Sequence, residues 1–363
     1  MARIIDADGH IVEPRQLWEE YVEPEFRDRV VRVQRGAEGI DEFWVNGERR
    51  RGPGGSIVAS VIPGGYLDPA RTRAAAWEDI LPGSWDPHAR IKVLDEEGID
   101  VSFLYPSFYL IYGDLEEPRL AAAACRAYNN WMADFCRPYP RRLFGVAPMP
   151  IQDIDLAVRV FIRPNPYNHR RLCDPAYDVF WREAQELDIP VAVHSSFGTK
   201  MPALGADRYL HDTFSFHMVC HPFEQQAACM DVICGGVLER FPKLRIGFLE
   251  SGVGWAGYWL DRMDSHYEKM GSMAPWLKKR PTEYFMQQCY LSFDPDERTL
   301  AAMCQLGFDR NILWGSDYPH FDCTYPGVVK QIEQAVKVLP ATARHNIMTA
   351  NPARFYRLDE EPG

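Results

Sequence analysis

The chain opens with Ile4-Ile5-Asp6-Ala7-Asp8-Gly9-His10, in which polar side chains recur at every second position after a short apolar run. On a β-strand this spacing places Asp6, Asp8 and His10 on one face. The face is either a solvated polar surface or a set of ionisable groups gathered around a cation. Matching ligand types after later predicted strands favour the cation.

The composition limits the function classes. Of the 363 residues, 46% are hydrophobic and 25% are charged, as in ordinary globular proteins. A net charge of −11 argues against nucleic acid or an anionic membrane as a partner. No apolar run approaches the roughly 20 residues of a membrane span, and the early first strand leaves no room for a signal peptide. Nine scattered cysteines without Cys-x-x-Cys pairs predict free thiols and a cytoplasmic protein.

From Asp86 onwards the apolar pattern alternates between strands and helices. With the first strand this gives eight β-units, so the sequence predicts an α/β fold and a single, distorted (β/α)8 TIM barrel over 1–363. The later strands are predicted at 101–106, 143–148, 160–164, 189–194, 244–250, 290–294 and 312–317. Helices are predicted at 86–97, 118–137, 176–187, 212–236 and from 251 to about 270.

Two regions depart from this alternation. Residues 15–85 lack a strong helical period and are predicted to form an insertion arm or lid, with short strands at 30–33 and 43–45 and a tight turn at Asn46-Gly47. A decorative surface excursion is the alternative. Between 148 and 160 the chain is barely long enough for a parallel crossover, so the helix there is vestigial or a segment is missing.

Candidate functional residues stand at the predicted carboxyl ends of strands, where the active sites of such barrels lie. His, Asp and Glu side chains arriving from different strands form a nitrogen and oxygen ligand set suited to Zn, Mn or Fe. Taken singly, His194 fits a core histidine and Asp317 a helix N-cap. The candidates are Asp8, His10, Arg163, His194, Glu250 and Asp317.

His217 and His221 give a second signal in the predicted helix 212–236. Their four-residue spacing puts both imidazoles on one helix face. Such a pair can bind a metal, or one member can act as an acid or base. A pair of ordinary exposed or core histidines is the alternative. Glu224, one turn later, is placed to orient His221.

The motifs together resemble the amidohydrolase superfamily, in the branch of aminocarboxymuconate semialdehyde decarboxylase and the resorcylate decarboxylases. They cover the chain from end to end apart from 15–85. The most specific is Gly315-Ser316-Asp317-Tyr318-Pro319-His320, and the others are Ile5 to His10, Phe161-Ile162-Arg163-Pro164-Asn165-Pro166, His194, Phe241-Pro242-Lys243-Leu244 and Asn351-Pro352-Ala353-Arg354-Phe355-Tyr356.

This resemblance implies a distorted TIM barrel that holds a divalent metal at the strand ends. Asp8 and His10 correspond to the first-strand His-x-His pair of the family, and His194 to its fifth-strand ligand. Asp317 corresponds to the eighth-strand ligand or proton carrier. The sequence departs from the family where Asp8 replaces a histidine, and where Glu250 replaces the catalytic sixth-strand histidine.

Three functions remain open from the sequence. The first is a metal-dependent hydrolase or non-oxidative decarboxylase of a small carboxylated substrate, in which Asp317 shuttles a proton, His221 or His217 assists and Arg163 receives a carboxylate. The second is a dinuclear iron/manganese oxygenase, in which all seven predicted ligands (Asp8, His10, His194, His217, His221, Glu250 and Asp317) share two metals rather than one. The third is a non-catalytic subunit that stabilises an active partner. The family and the aromatic-rich arm also imply a homo- or hetero-oligomer.

Overall fold

The computed structural model describes residues 3–37, 39–50, 56–150, 160–167, 169–196 and 201–358. Its strands are β1 (Ile5–Ile11), β2 (Arg32–Arg35), β3 (Asp41–Val45), β4 (Glu48–Arg50), β5 (Val101–Pro106), β6 (Leu143–Gly145), β7 (Val160–Ile162), β8 (Val191–His194), β9 (Ile246–Leu249), β10 (Cys289–Phe293) and β11 (Ile312–Trp314).

Its α-helices are α1 (Arg15–Tyr21), α2 (Pro69–Ala74), α3 (Pro87–Glu97), α4 (Pro118–Cys136), α5 (Asp178–Glu186), α6 (Ala206–Tyr209), α7 (Thr213–Cys220), α8 (Pro222–Cys234), α9 (Val237–Arg240), α10 (Gly254–Met270), α11 (Pro281–Gln288), α12 (Leu300–Gln305), α13 (Val328–Val336), α14 (Ala341–His345) and α15 (Asn351–Tyr356). Within the described ranges, every helix falls short of the length or apolarity that a membrane span requires.

Two parallel sheets form the centre of the molecule. One has the order β1-β5-β6, and the other has the order β11-β10-β9-β8-β7. Strands that follow one another along the chain are neighbours in each sheet, with helices in the connections, as in repeated βαβ units. Their side chains are buried almost throughout. The predicted α/β class is therefore confirmed.

Backbone contacts join the two sheets at both edges. At one edge the Phe161 amide donates to the Ala147 carbonyl at 2.9 Å, beside β6 and β7. At the other edge the Asp317 amide donates to the Asp8 carbonyl at 2.9 Å, and the His10 amide donates to the Tyr318 carbonyl at 2.8 Å. The chain that follows β11 therefore runs along β1, which brings the first and last strand ends together.

Several elements are shorter than the sequence predicts. The predicted strand 143–148 is regular only at β6, and 312–317 only at β11. The predicted helix 212–236 is two helices, because Pro222 lacks an amide hydrogen and disfavours helical geometry at the preceding residue. The unusual crossover before β7 falls on 151–159, which lies outside the described residues.

The region 15–85 contains a small antiparallel sheet, β2-β3-β4. Asn46 and Gly47 connect β3 to β4 with φ of 52° and 74°, as a two-residue hairpin requires, so the predicted turn is confirmed. The helices α1 and α2 differ from the expectation of weak helical character. Leu17 and Trp18 bury one face of α1, and Asp68 caps α2 ahead of a proline, so tertiary packing and a cap replace a long apolar period.

Candidate metal centre

Five of the predicted ligands lie together at the carboxyl ends of the parallel strands. Asp8 and His10 come from β1, His194 ends β8, Glu250 follows β9, and Asp317 lies three residues beyond β11. His10 Nε2 is 3.6 Å from Asp8 Oδ1 and 3.4 Å from Asp317 Oδ1. His194 Nε2 is 3.4 Å from Asp8 Oδ1 and 3.2 Å from Glu250 Oε2. The polar tips of four strand ends therefore face one another.

The atoms of this cluster that could bind a metal are buried and lack hydrogen-bond partners. Among the residues that the structure describes, Asp8 Oδ1, His10 Nε2, His194 Nε2 and Glu250 Oε2 have no hydrogen-bond partner. Buried polar atoms without partners are costly, and each such group calls for an explanation. Carboxylate oxygens and imidazole nitrogens form the ligand set of Zn²⁺, Mn²⁺ and Fe²⁺ sites. The residues present therefore fit a divalent metal ion.

The other ring nitrogens of the two histidines orient them for this purpose. His10 Nδ1 lies 2.7 Å from the Pro106 carbonyl, and His194 Nδ1 lies 2.7 Å from the Ser195 carbonyl. A carbonyl oxygen only accepts, so each Nδ1 carries the proton and each Nε2 presents a lone pair to the cluster. Metal-bound histidines in proteins characteristically have this arrangement.

Glu250 and Asp317 reach the cluster through unusual backbone geometry. Their φ values are 51° and 52°, in the left-handed region that disfavours side chains. The approach of Asp317 also depends on Gly315, because a Cβ there would lie 2.4 Å from Asp8 Cβ. Strained backbone of this kind is characteristic of functional sites.

A second group adjoins the first through Glu250. Candidate ligand atoms of His217, His221 and Glu250 all lie within 4.8 Å of one another. The two imidazole rings are 4.4 Å apart, and His221 Nε2 is 3.5 Å from Glu250 Oε1. The predicted single helix face is wrong in detail, because α7 ends before His221, yet the four-residue spacing still brings the rings together. The carboxylate of Glu224 accepts from the Leu204 amide, and its role in orienting His221 stays a prediction.

Arg163 is buried beyond β7, beside these groups. One terminal nitrogen donates to Asn165 Oδ1 at 3.0 Å and to the Ser196 carbonyl at 2.9 Å. These contacts hold two loops together. In the described part of the chain, Arg163 Nε and Nη1 have no hydrogen-bond partner, which leaves the guanidinium with donors for an anion.

The sequence reasoning missed His320 as a site residue. Its Nδ1 lies 2.7 Å from Asp317 Oδ1, and its Nε2 lies 3.1 Å from Ser107 Oγ. The His320 ring also contacts the His10 ring in a tilted arrangement, with 4.0 Å between the ring centroids. Its position in the Gly315–His320 motif was the available signal. Its contact with Asp317 depends on the reversal of the chain between them, which spacing alone does not reveal.

Burial shifts the pKa of several groups at the site. It raises the pKa of Glu250 and of Asp317 well above their usual range, and neighbouring carboxylates add to the effect. Burial lowers the pKa of His10 and of His221 well below the usual histidine value. A divalent cation placed among these groups favours ionised carboxylates and neutral imidazoles, and so offsets the cost of burying the acids.

Comparison with known proteins identifies the family. The family model described as "Amidohydrolase" matches residues 5–358, which is nearly the whole chain. The chain belongs to the amidohydrolase family. The resemblance inferred from the motifs is confirmed, and with it the assignment to an enzyme family.

Two curated relatives of this amidohydrolase-family chain are named as decarboxylases. The 2-amino-3-carboxymuconate-6-semialdehyde decarboxylase of Dictyostelium discoideum is 23% identical over 78% of this chain and 80% of its own length. The gamma-resorcylate decarboxylase of a Polaromonas species is 25% identical over 63% of this chain and 76% of its own length.

Solved structures share the fold. An amidohydrolase from Mycobacterium avium subsp. paratuberculosis superimposes with a TM-score of 0.78 at 19% identity, covering 98% of this chain and 99% of that one. The 5-carboxyvanillate decarboxylase of Novosphingobium aromaticivorans, complexed with manganese and 4-hydroxy-3-methoxy-5-nitrobenzoic acid, gives a TM-score of 0.67 at 17% identity, with 98% and 96% coverage.

Proposed function

We propose that this amidohydrolase-family enzyme is a metal-dependent, non-oxidative decarboxylase of an aromatic carboxylic acid. The convergence of unpaired, buried donor atoms from Asp8, His10, His194 and Glu250 carries the proposal. Asp8, His10, His194 and Asp317 would hold the cation, which supplies charge neutralisation to a carboxylated substrate. The names of the decarboxylating relatives supply the reaction class.

The residues of the chain provide the proton that the reaction consumes. Decarboxylation breaks the bond between the ring carbon and the carboxylate, releases CO2 and forms a C–H bond in its place. In our proposal, Asp317 Oδ1 and His320 Nδ1, 2.7 Å apart, share the proton that reaches the ring carbon. Ser107 Oγ holds the far side of His320.

We propose further roles for the second group. Arg163 would receive the substrate carboxylate or an acidic ring substituent through its unpaired nitrogens. His221 and His217 would assist the proton transfer, or would bind substrate hydroxyl groups beside Glu250.

The test measures metal and reaction in the same samples. Protein purified without added metal is analysed for Zn, Mn and Fe per chain, then loaded with Mn²⁺ and mixed with 2,6-dihydroxybenzoate while CO2 release is followed. We expect about one metal per chain and CO2 release that Asp317→Asn lowers at least about 100-fold. His211→Gln, an exposed histidine, is the matched control. Metal binding without CO2 release from 2,6-dihydroxybenzoate, 2-hydroxybenzoate or 4-phenyl-2-hydroxybenzoate would refute the decarboxylase.

The dinuclear oxygenase remains the second candidate, and Glu250 is the observation that favours it. One Glu250 oxygen faces His194 at 3.2 Å and the other faces His221 at 3.5 Å, as expected of a carboxylate between two ions. Two metals per chain including iron, together with oxygen uptake on adding substrate, would establish this function. One metal and no oxygen uptake would exclude it. The non-catalytic alternative predicts neither metal nor turnover.

We also propose the finer architecture. The strands would close into a distorted (β/α)8 barrel, supported by the hydrogen bonds at both sheet edges, and 1–363 would be one domain. Residues 15–85 would form an arm over its mouth, supported by the hydrogen bond from the Gly64 amide to the Phe321 carbonyl. Nine free cysteines support a cytoplasmic location. Homo- or hetero-oligomerisation stays a prediction, to be tested by light scattering.

A further inference from the structure

A cavity of about 520 Å³ lies between the region 15–85 and α7. Tyr66, Pro69, Thr72 and Arg73 form one wall, Thr213, Phe214, His217 and Met218 form the other, and Phe321 closes one side. Most of this lining is aromatic or aliphatic. This cavity is partly open to solvent. Largely apolar clefts and cavities of about 300–1,000 Å³ are the usual form of a small-molecule site.

The cavity adjoins the candidate metal centre through His217, which lines the cavity and belongs to the second group of candidate ligands. The Tyr66 and Phe321 rings are 4.4 Å apart, and the Phe321 and His217 rings are 5.3 Å apart. The His217 ring in turn contacts the His221 ring with 4.4 Å between the centroids, and His217 belongs to the group that includes Glu250. A molecule in the cavity therefore lies beside His217, one side chain away from the cluster.

The outer wall carries apolar side chains that have little contact in the protein itself. Phe214 is 78% exposed and Met218 is 55% exposed. They are four residues apart on α7, so they share a helix face. A bound apolar group would bury both, with a favourable free energy of transfer from water.

The size of the cavity indicates the size of that group. A cavity of about 150 Å³ accommodates benzene. At about 520 Å³, this one has room for considerably more than a single ring. Arg73 is the one arginine or lysine in the lining, which favours an uncharged or acceptor-bearing group over a cationic one.

We propose that this cavity binds a second, apolar ring or chain of the substrate, so that the enzyme acts on an aromatic acid larger than one benzene ring. The inference rests on the proposed function, because the carboxylate end of the same molecule lies at the metal centre. Phe214 and Met218 then determine substrate specificity. The helix α7 carries these two residues and also His217.

Binding of two acids to the Mn²⁺-loaded protein tests this inference directly. The probes are 2-hydroxybenzoate and 4-phenyl-2-hydroxybenzoate, and the readout is the dissociation constant from titration calorimetry. We expect the phenyl compound to bind at least about tenfold more tightly, since burying a ring favours binding. Phe214→Ser and Met218→Ser should remove this preference and leave the affinity for 2-hydroxybenzoate unchanged.

Val338→Ser is the matched control, because Val338 is 76% exposed and does not line the cavity. It should retain the tenfold preference. Equal affinity for the two acids, or no binding of either, would overturn the inference. A change of oligomeric mass in Phe214→Ser, with the preference intact, would also overturn it, since a second copy of the chain would then cover this wall.

CO2 release is followed in the same samples, which separates the two proposals. Tight, Phe214-dependent binding without CO2 release from either acid would refute the decarboxylase and retain the cavity as a binding site. CO2 release without any preference for the phenyl compound would retain the decarboxylase and refute the cavity.

Discussion

Glu250 has a backbone conformation that is unfavourable for a residue with a side chain. Its φ of 51° lies in the left-handed region, where a residue with a Cβ is destabilised by about 1–2 kcal/mol. The carboxylate it carries is also buried beside Asp317, which raises its pKa. The left-handed backbone and the buried carboxylate both destabilise the folded protein, yet together they place the carboxylate between His194 and His221. Stability and function therefore oppose each other at this residue.

Comparing Glu250→Gly with Glu250→Ala tests the backbone strain. Both variants lack the carboxylate, but only glycine tolerates this φ without steric cost. We expect the glycine variant to be more stable than the alanine variant by about 1 kcal/mol in the metal-free protein, measured by urea unfolding. Equal stabilities would show that the local backbone relaxes and that Glu250 is not strained.

The buried carboxylate of Glu13 binds the backbone of the loop after β5. Its carboxylate accepts hydrogen bonds from the amides of Ser107 at 3.1 Å, Phe108 at 3.0 Å and Tyr109 at 3.0 Å. Burial outweighs these bonds and raises the pKa of Glu13 from 4.5 to about 7. Ser107 contacts His320, so Glu13 supports the proposed proton donor from behind.

This raised pKa predicts a pH dependence of folding. The folded state holds the Glu13 proton more tightly than the unfolded state, so stability falls as pH rises from about 4.5 to about 7. The loss from this group is about 3 kcal/mol. Metal-free Glu13→Gln should lack this part of the slope in urea unfolding at pH 5 to 8, whereas exposed Glu116→Gln should keep it. Parallel profiles for Glu13→Gln and the wild type would contradict the prediction.

At the scale of elements, Asp6 joins the first strand to its neighbours on both sides. Its carboxylate accepts from Ser102 Oγ on β5 at 2.8 Å, and from the amide at 2.9 Å and hydroxyl at 2.8 Å of Ser316. The pairing of β1 with β5 shifts between Asp6 and Gly9, which separates Asp6 from the pair that faces the cluster. The prediction that Asp6, Asp8 and His10 share one face is therefore incomplete, because Asp6 has a separate role.

Asp6→Ala should be strongly destabilising. It leaves four donors without an acceptor, namely the amides of Asp8 and Ser316 and the hydroxyls of Ser102 and Ser316. At about 1–3 kcal/mol for each buried donor, we expect a loss of at least about 3 kcal/mol in urea unfolding. The triple variant Asp6→Ala, Ser102→Ala, Ser316→Ala removes both hydroxyl donors and should recover part of that loss. Exposed Asp207→Ala is the control. If the triple variant is less stable than Asp6→Ala, the hydrogen bonds are not the cause.

At the scale of the whole molecule, the candidate metal centre draws ligands from β1, β8, β9 and the segment after β11. These strands belong to two sheets. A cation bound there connects both sheets at the carboxyl ends of their strands. Because the unfolded chain presents no such site, binding free energy adds to the stability of the folded state.

Mn²⁺ should therefore raise the melting temperature. At a free concentration of 100 times the dissociation constant the stabilisation is about 2.7 kcal/mol, which corresponds to a rise of about 5 °C measured by scanning fluorimetry. His194→Ala should abolish the rise and His211→Ala should preserve it. An unchanged melting temperature with Mn²⁺, Zn²⁺ and Fe²⁺ alike would argue against a metal site.

The sequence by itself determined the fold class and named most of the candidate ligands that the structure brings together. Alternating apolar segments follow from the physics of burying parallel strands between helices, and that signal is local. The residues just beyond such strands, Asp8, His10, His194, Glu250 and Asp317, could be named because parallel strands all end on the same side of a sheet. Even the spacing of His217 and His221 was sufficient to pair them, although their helix breaks at Pro222.

Only the tertiary structure decided how these groups share the site. The contact of His320 with Asp317, the separate role of Asp6 and the support of Glu13 depend on chain reversals and on strand register, which act between residues distant in sequence. The cavity between 66–73 and α7 likewise forms from segments about 140 residues apart. A periodic pattern reports which face a residue presents, but only packing in three dimensions fixes what lies opposite that face.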